Sequence, residues 1–296
     1  VRRQILRVSG WMIVGLVLLM TLIAVGVGVY THTAAFRTWC KERLVAALQP
    51  AIHGELTLER VSGSVWTHLR LHNLSIRHNG REVLTIPQAA FSVRLLPQLY
   101  TLLWSGSLHV AAFEVTAPQL TLLQAQDGRW NISHLFDTTA APQELTLFFP
   151  RFRVTDGRID IYYATGEEAH LSGFSAAGDL ALLPTGTQVH LTQVDFSLTH
   201  PRIPPIQGTG GLSYDDTTSP ATLRLQDFDL RTARSRLRIA GAVHHLAAPT
   251  AELTVAVTHL AASEVRTVFP AIPLREDLSA QAQVTGSLAA LQVNAT

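Results

Sequence analysis

The stretch LRLHNLSI, Leu69 to Ile76, decides the fold. It starts as a strand, with Leu69 and Leu71 at alternate positions, but the next apolar residue is Leu74, three positions on. Successive strand side chains face opposite sides, so a one-residue slip sends everything after it to the other face. Either the strand ends at Leu71 or it absorbs an extra residue. The slip recurs in LHVAAFEV (Val110, then Phe113 and Val115), in LTQVDFSL (Leu191, then Val194) and in LRLQDFDL (Leu223 and Leu225, then Phe228 and Leu230). Two arrangements produce it. In a bulge, two residues of one strand oppose one residue of its neighbour and the strand bends. In a corner, two short strands meet, which suits the gaps holding Asn73 or Asp227. Both describe a long antiparallel sheet that curves.

Working outward, the 296-residue chain is 47% hydrophobic and 15% charged, against roughly 25% charged in an average soluble domain. Its net charge is +1 and its Lys and Arg residues are scattered. That pattern gives no electrostatic footprint for nucleic acid, and this partner class is set aside.

From Val8 to Phe36 there is no Asp, Glu, Lys or Arg. The segment at 10–30 would span about 31 Å as a helix, matching a bilayer core, and is expected to be a transmembrane signal anchor. Trp11 and Tyr30 suit the two interfaces, with Leu16, Leu19 and Ile23 between them. Arg2, Arg3 and Arg7 precede the segment, which places residues 1–9 in the cytoplasm and everything after Tyr30 on the far side. A cleavable signal peptide is the competing reading. Its apolar region runs about 7 to 15 residues and ends in an A-x-A-like site, whereas THTAAF offers only Ala34 and Ala35. The first residue is Val and the last residues are strand-like, so the front part of a longer protein is expected. With Cys40 as the single cysteine, no intramolecular disulfide is available.

Residues 31–50 read as a short amphipathic helix, with Phe36, Cys40, Leu44, Ala47 and Leu48 at helical spacing. Residues 51–296 are almost entirely strand signal, on the order of sixteen strands, with turn pairs such as Asn79-Gly80, Asp127-Gly128 and Asp156-Gly157. LPQLYTLLWSG, WNISHLF and SEVRTVF are the expected helical interruptions. Regular strand–helix alternation is missing, which argues against a doubly wound parallel sheet.

Catalytic signatures are missing too. The chain holds no G-x-S-x-G, P-loop, G-x-G-x-x-G or H-E-x-x-H. An enzyme is not expected, and no catalytic residue, cofactor or metal site is assigned. His68 and His72 would share a strand face only without a bulge, and they lack Cys or carboxylate companions. Asp215-Asp216 and Glu167-Glu168 read as solvated loop tips, and Trp130 as a packing anchor.

The runs VSGSVWTHLRLHNLSIRHNGREVLTI, HVAAFEVTAPQLTLLQAQDGRWNISHL, RFRVTDGRIDIYY and FPAIPLREDLSAQAQVTGSLAALQV resemble the AsmA-like family of bacterial envelope proteins, and within it the N-terminal region of the TamB branch. The resemblance covers nearly the whole chain. It implies an inner-membrane-anchored periplasmic protein of a Gram-negative cell, mainly β, with an elongated curled antiparallel sheet that forms a hydrophobic groove. It also implies phospholipid as cargo and an outer-membrane barrel similar to TamA as partner. On that reading Leu56, Leu58, Leu69, Leu71, Val110, Phe113, Val115, Leu223, Leu225, Phe228 and Leu230 face the groove. Two rivals remain: a scaffold on whose free sheet edge outer-membrane proteins pair by strand addition, and a structural tether with a protein-filled core.

Overall fold

A computed structural model of the protein describes residues 33–49, 52–64, 68–93, 107–135, 146–245, 249–269, 274–287 and 290–295. The expected membrane segment at 10–30 and the helical expectation at 96–106 lie outside the described residues. Among the described residues no helix is long and apolar enough to cross a membrane.

Among the described residues helix α1 (Ala34–Leu48) is followed by fourteen strands: β1 (Glu55–Ser64), β2 (His68–His78), β3 (Arg81–Val93), β4 (Ser107–Thr116), β5 (Gln119–Leu123), β6 (Thr146–Tyr162), β7 (Glu168–Leu183), β8 (Gly186–His200), β9 (Ile203–Asp215), β10 (Thr222–Arg231), β11 (Arg236–His244), β12 (Thr250–Leu260), β13 (Leu278–Ser287) and β14 (Ala290–Ala295). A 3-10 turn at Asn131–His134 and helix α2 (Ala262–Val268) are the helical interruptions. All the strands belong to one sheet in the order β1-β2-β3-β4-β6 and onward to β14, with β5 beside β3 and β6. Stacked at about 4.8 Å per strand, that path spans about 58 Å. Among the described residues no pairing joins β1 to β14, so the sheet is open.

The sheet is mixed, which corrects the expectation of antiparallel pairing throughout. β4 and β5 both run parallel to β6. They are one strand interrupted at Ala117-Pro118, where Ala117 takes a left-handed φ of 50°. Pairing continues through the break: the Ala117 N–H donates to the Thr155 carbonyl and the Arg158 N–H to the Pro118 carbonyl, both at 2.8 Å. After β5 the chain returns across residues 124–145 to start β6 beside the start of β4. A parallel pair needs such a crossover of a dozen or more residues, and no local pattern announces it.

The alternation slips fall inside continuous strands, so they are not corners. In β2 the extra residue is Asn73, at φ 50°. Yet the register of β2 is constant on both sides, pairing Leu71 with Val61 and Ala89, and Leu74 with Leu58 and Ile86. The reason is that β1 slips between Leu58 and Val61, and β3 between Ile86 and Ala89, at the same level. Pro87, which has no N–H to donate, stands opposite Asn73 on that line. Further along, a slip in one strand meets none in the next and the register itself shifts, as between Leu191 and Val194 of β8 against β9 and between Leu225 and Phe228 of β10 against β11. Those are bulges.

Both ends of β1 are covered. α1 is capped by Thr33, whose hydroxyl accepts from the Phe36 N–H, and it packs Leu44 and Val45 on Leu58, Val61 and Leu71. Trp39, one turn earlier, is 48% exposed. The 3-10 turn is held by the Asn131 side chain, which accepts from the Leu123 N–H and donates to the Thr121 carbonyl. It sets Ile132 and Leu135 against Leu56, Ile76 and Val83.

Candidate functional site: an apolar face crossed by continuous rows

Directly paired residues of neighbouring strands share a face, so the ladder registers identify which side chains stand in line. One row runs Val61, Leu71, Ala89, Val115, Val154, Ala176, Val194, Gly210. It passes to Phe228, against which a Cβ on Gly210 would stand at 2.7 Å, and continues through Ile239, Val255, Ala282 and Ala295. The next row is Gly63, Leu69, Phe91, Phe113, Phe152, Gly178, Leu191, Leu212, Leu225, Gly241, Leu253, Val284, Val293. Neither row contains a polar side chain, although each crosses the whole sheet.

Further rows flank these two. On one side Phe196, Gly208, Leu230, Leu237, Val257 and Ala280 follow one another, and beyond them Leu56, Ile76, Leu84, Leu120, Ile159, Leu171, Leu198 and Ile206. On the other side stand Phe149, Leu180, Val189, Tyr214, Leu223, Val243 and Ala251. Five rows about 6.6 Å apart make an apolar face about 26 Å wide.

All eleven residues expected on one side of the sheet lie on this face. Leu71, Val115 and Phe228 stand in the first row; Leu69, Phe113 and Leu225 in the second; Leu58 and Leu230 in the row beside the first. Leu56 is in the outermost row, Leu223 is in the row on the opposite flank, and Val110 pairs with Val93 beyond Phe113. Leu56, Leu58 and Leu71 are covered by protein, in the clusters that hold Leu135 or the α1 residues Leu44 and Val45, and the half-buried Leu69 borders the second of them. Of the seven residues farther along, Phe113 borders the α1 patch, and among the described residues the other six lie outside the two clusters at the β1 end.

Burial is heaviest on the first row, although Leu56, Leu58, Ile76, Val110, Phe149, Leu191 and Ala251 of the other rows are buried too. Every member from Val61 to Val194 is buried, as is Phe228, whereas Leu69, Phe91, Phe113, Phe152, Leu212 and Leu225 beside them are half-buried. Toward β14 the cover thins: Ile239, Val255 and Ala282 are half-buried and Val293 is 60% exposed. Phenylalanines dominate the middle. Phe91 stacks on Phe113 at 4.4 Å, Phe152 stands 5.7 Å from Phe113, and Phe196 lies 6.1 Å from Phe228.

The opposite face is polar. Arg224, Glu252, Thr285 and Gln292 alternate with the rows above. Asp229, buried among them, accepts from Arg231 (2.8 Å) and Arg236 (2.5 Å). Hydrogen bonds from those two guanidinium groups hold its carboxyl far below the usual carboxylate range. His68 and His72 do share this polar face, contrary to expectation, because the extra residue of β2 is Asn73, after His72; the His72 ring bonds the Ser62 hydroxyl at 2.7 Å. At the β6–β7 end, His170 bonds Asp160 at 2.7 Å, and Glu167 pairs with Arg202 and His200. Burial raises the Asp160 carboxyl, but the His170 and Arg158 hydrogen bonds outweigh it and its pKa is lowered. Trp130 stands edge-on to Tyr163 at 5.8 Å. Among the described residues no group of three or more His, Cys, Asp or Glu side chains is arranged to hold a metal ion.

The sequence reading missed Val154, Ala176, Val194, Phe174, Phe196, Gly208 and Gly210. A signal for the glycines exists in IPPIQGTGGLSYD, where Gly208 and Gly210 alternate inside a strand, the mark of a close approach by another group. Comparison with known protein families and with curated proteins found no match.

Proposed function

We propose that the chain is an inner-membrane-anchored periplasmic protein of the AsmA-like family, of the TamB branch, and that it carries phospholipid acyl chains along its apolar face toward the outer membrane. The observation that carries this reading is the pair of rows that cross every strand but β5 without a polar side chain. A face meant only to pack against protein needs a second layer. Among the described residues α1 and the 3-10 turn cover the β1 end and α2 adjoins the β9–β12 margin, and the rows extend between them.

The concentration of burial on the first row supports a sheet curled about that row into a groove. A central row is shielded by its neighbours even in a flat sheet, and curling deepens that burial by bringing the flanking rows over it. The chemistry fits the cargo. Exposing one chain of about sixteen carbons to water costs about 12 kcal/mol at about 0.8 kcal/mol per CH₂, so an unshielded lipid does not cross an aqueous gap. Apolar contact is non-directional, and a row of aliphatic and aromatic groups therefore lets a chain slide without a deep trap, while the headgroup stays in water.

The test is photo-crosslinking of the full chain in cells. A photoreactive residue replaces Leu225 or Val284 on the apolar face, or Arg224 or Gln283 on the polar one. Phospholipid identified by mass spectrometry at Leu225 and Val284, and absent at the two controls, is the expected outcome. Capture of nothing but the protein's own residues would overturn it in favour of a tether. One observation favours strand addition as a second reading: among the described residues β14 pairs only with β13. Capture of outer-membrane proteins along β14, with no lipid at Leu225, would establish that reading instead.

A further inference from the structure

Three phenylalanines of the apolar face lie across glycines of the neighbouring strand. A Cβ on Gly157 would meet the Phe174 Cδ1 at 3.2 Å and Cβ at 3.3 Å. The space above Gly208 is filled by the Phe196 ring, through Cζ and Cε1, and a Cβ on Gly210 would meet the Phe228 Cδ2 at 2.7 Å and Cγ at 2.9 Å. Phe174 pairs directly with Gly157 and Phe196 with Gly208. Each ring therefore leans along the sheet onto the one residue type that leaves room for it, instead of standing off the face. None of these three glycines has a positive φ, so backbone conformation does not require glycine there. A glycine inside a strand weakens it.

The arrangement changes where the cover ends. Between β3 and β6, Phe91, Phe113 and Phe152 pack on one another, next to the patch on which α1 lays Leu44 and Val45. From Gly157 onward the rings rest on glycine. Phe196 and Phe228 there lie 6.1 Å apart with ring planes 35° from parallel, against Gly208 and Gly210 of β9.

We propose that Gly157, Gly208 and Gly210 are positioning residues: they hold Phe174, Phe196 and Phe228 down against the sheet and so set the clear depth through which an acyl chain passes. This inference rests on the lipid reading above. A methyl group at Gly208, whose nearest atoms are all of the Phe196 ring, lifts that ring into the path of the chain, and the lipid loses the contacts that the ring displaces; at Gly157 and Gly210 the methyl also meets the Phe174 carbonyl oxygen at 3.2 Å and the Phe228 Cα at 2.7 Å.

The experiment uses the full chain in cells with the photoreactive residue at Leu212, which pairs with Leu225 and Leu191 beside these glycines. Captured phospholipid is quantified by mass spectrometry in the parent chain, in Gly208→Ala, in Phe196→Ala and in the double variant. Displacing even two methylenes lowers occupancy about tenfold, so Gly208→Ala is expected to lose about that much capture. The double variant, which removes the ring that the methyl lifts, is expected to regain it. Equal capture in the parent and Gly208→Ala overturns the glycine role and leaves lipid carriage standing. Loss in Gly208→Ala without recovery in the double variant means that the methyl damages the sheet itself, and also overturns it. No phospholipid at Leu212 in any chain removes the lipid reading and this inference together.

Discussion

At the scale of single residues, Asp229 shows how the polar face is held. Its carboxylate lies under two guanidinium groups that are themselves about half exposed, so the ion pairs are anchored at one end and hydrated at the other. Its folded pKa is lowered below the ordinary value near 3.9. The unfolded chain therefore takes up the proton first as pH falls. The stabilisation is fully present above about pH 5 and declines through about pH 4 and below. Asp229→Asn is expected to weaken β10 and β11 by about 1 to 3 kcal/mol at neutral pH, and to flatten the acid limb of their stability. Hydrogen exchange of peptides covering 222–244, followed from neutral pH down to about pH 3, measures both effects. None of this network was visible beforehand. Asp229, Arg231 and Arg236 are ordinary alternating polar residues in the sequence, and only the β10–β11 turn brings the third beside the other two.

At the scale of elements, the slipped strand is the informative unit. The four slips that are legible in the sequence, at Leu71/Leu74, Val110/Phe113, Leu191/Val194 and Leu225/Phe228, are all absorbed inside continuous strands. The slip at Leu58/Val61 is as plain in ELTLERV but the sequence reading missed it, and those at Ile86/Ala89 and Val154/Gly157 are harder to read because Pro87 and Gly157 blur the alternation. Deleting Asn73 would shorten β2 by the residue that keeps Leu74 and Ile76 on the apolar side, while β1 and β3 keep theirs. Two apolar side chains then turn toward water, at about 3 to 6 kcal/mol in total. The deletion is expected to make the full chain in lipid nanodiscs sensitive to protease across β1–β3. Asn73→Gly, which suits the left-handed conformation even better, is expected to leave it resistant. If the deletion is as resistant as the parent, the slip is not needed for facing.

At the scale of the whole molecule, the proposed carriage of lipid requires the apolar face to be continuous, so on that proposal one charge anywhere along it has a remote effect. Leu253, half-buried in the uncovered part of the second row, is suited to that test because changing it leaves the capped end intact. Leu253→Asp is expected to abolish phospholipid capture beyond β12 while the chain remains folded by circular dichroism. Glu252→Lys, one residue along on the polar face, is expected to have no effect. An undiminished yield at Val284 in Leu253→Asp would mean that lipid does not travel along the rows.

By itself the sequence determined the mainly β character, the strand periodicity with its slips, the helix before β1, and the helical turns near Trp130 and Glu264. Each of these is local: it depends on side chains a few positions apart, whose alternation or helical spacing is written in order. The tertiary structure alone decided that β6 runs parallel to β4 and β5, that the slips of β1, β2 and β3 fall on one line, that Leu56, Leu58 and Leu71 are capped by protein, and that Phe174, Phe196 and Phe228 rest on glycines. Those depend on which strands become neighbours and in what register. Register is settled by burying all the strands' apolar sides together, a collective condition that no single stretch of the chain contains.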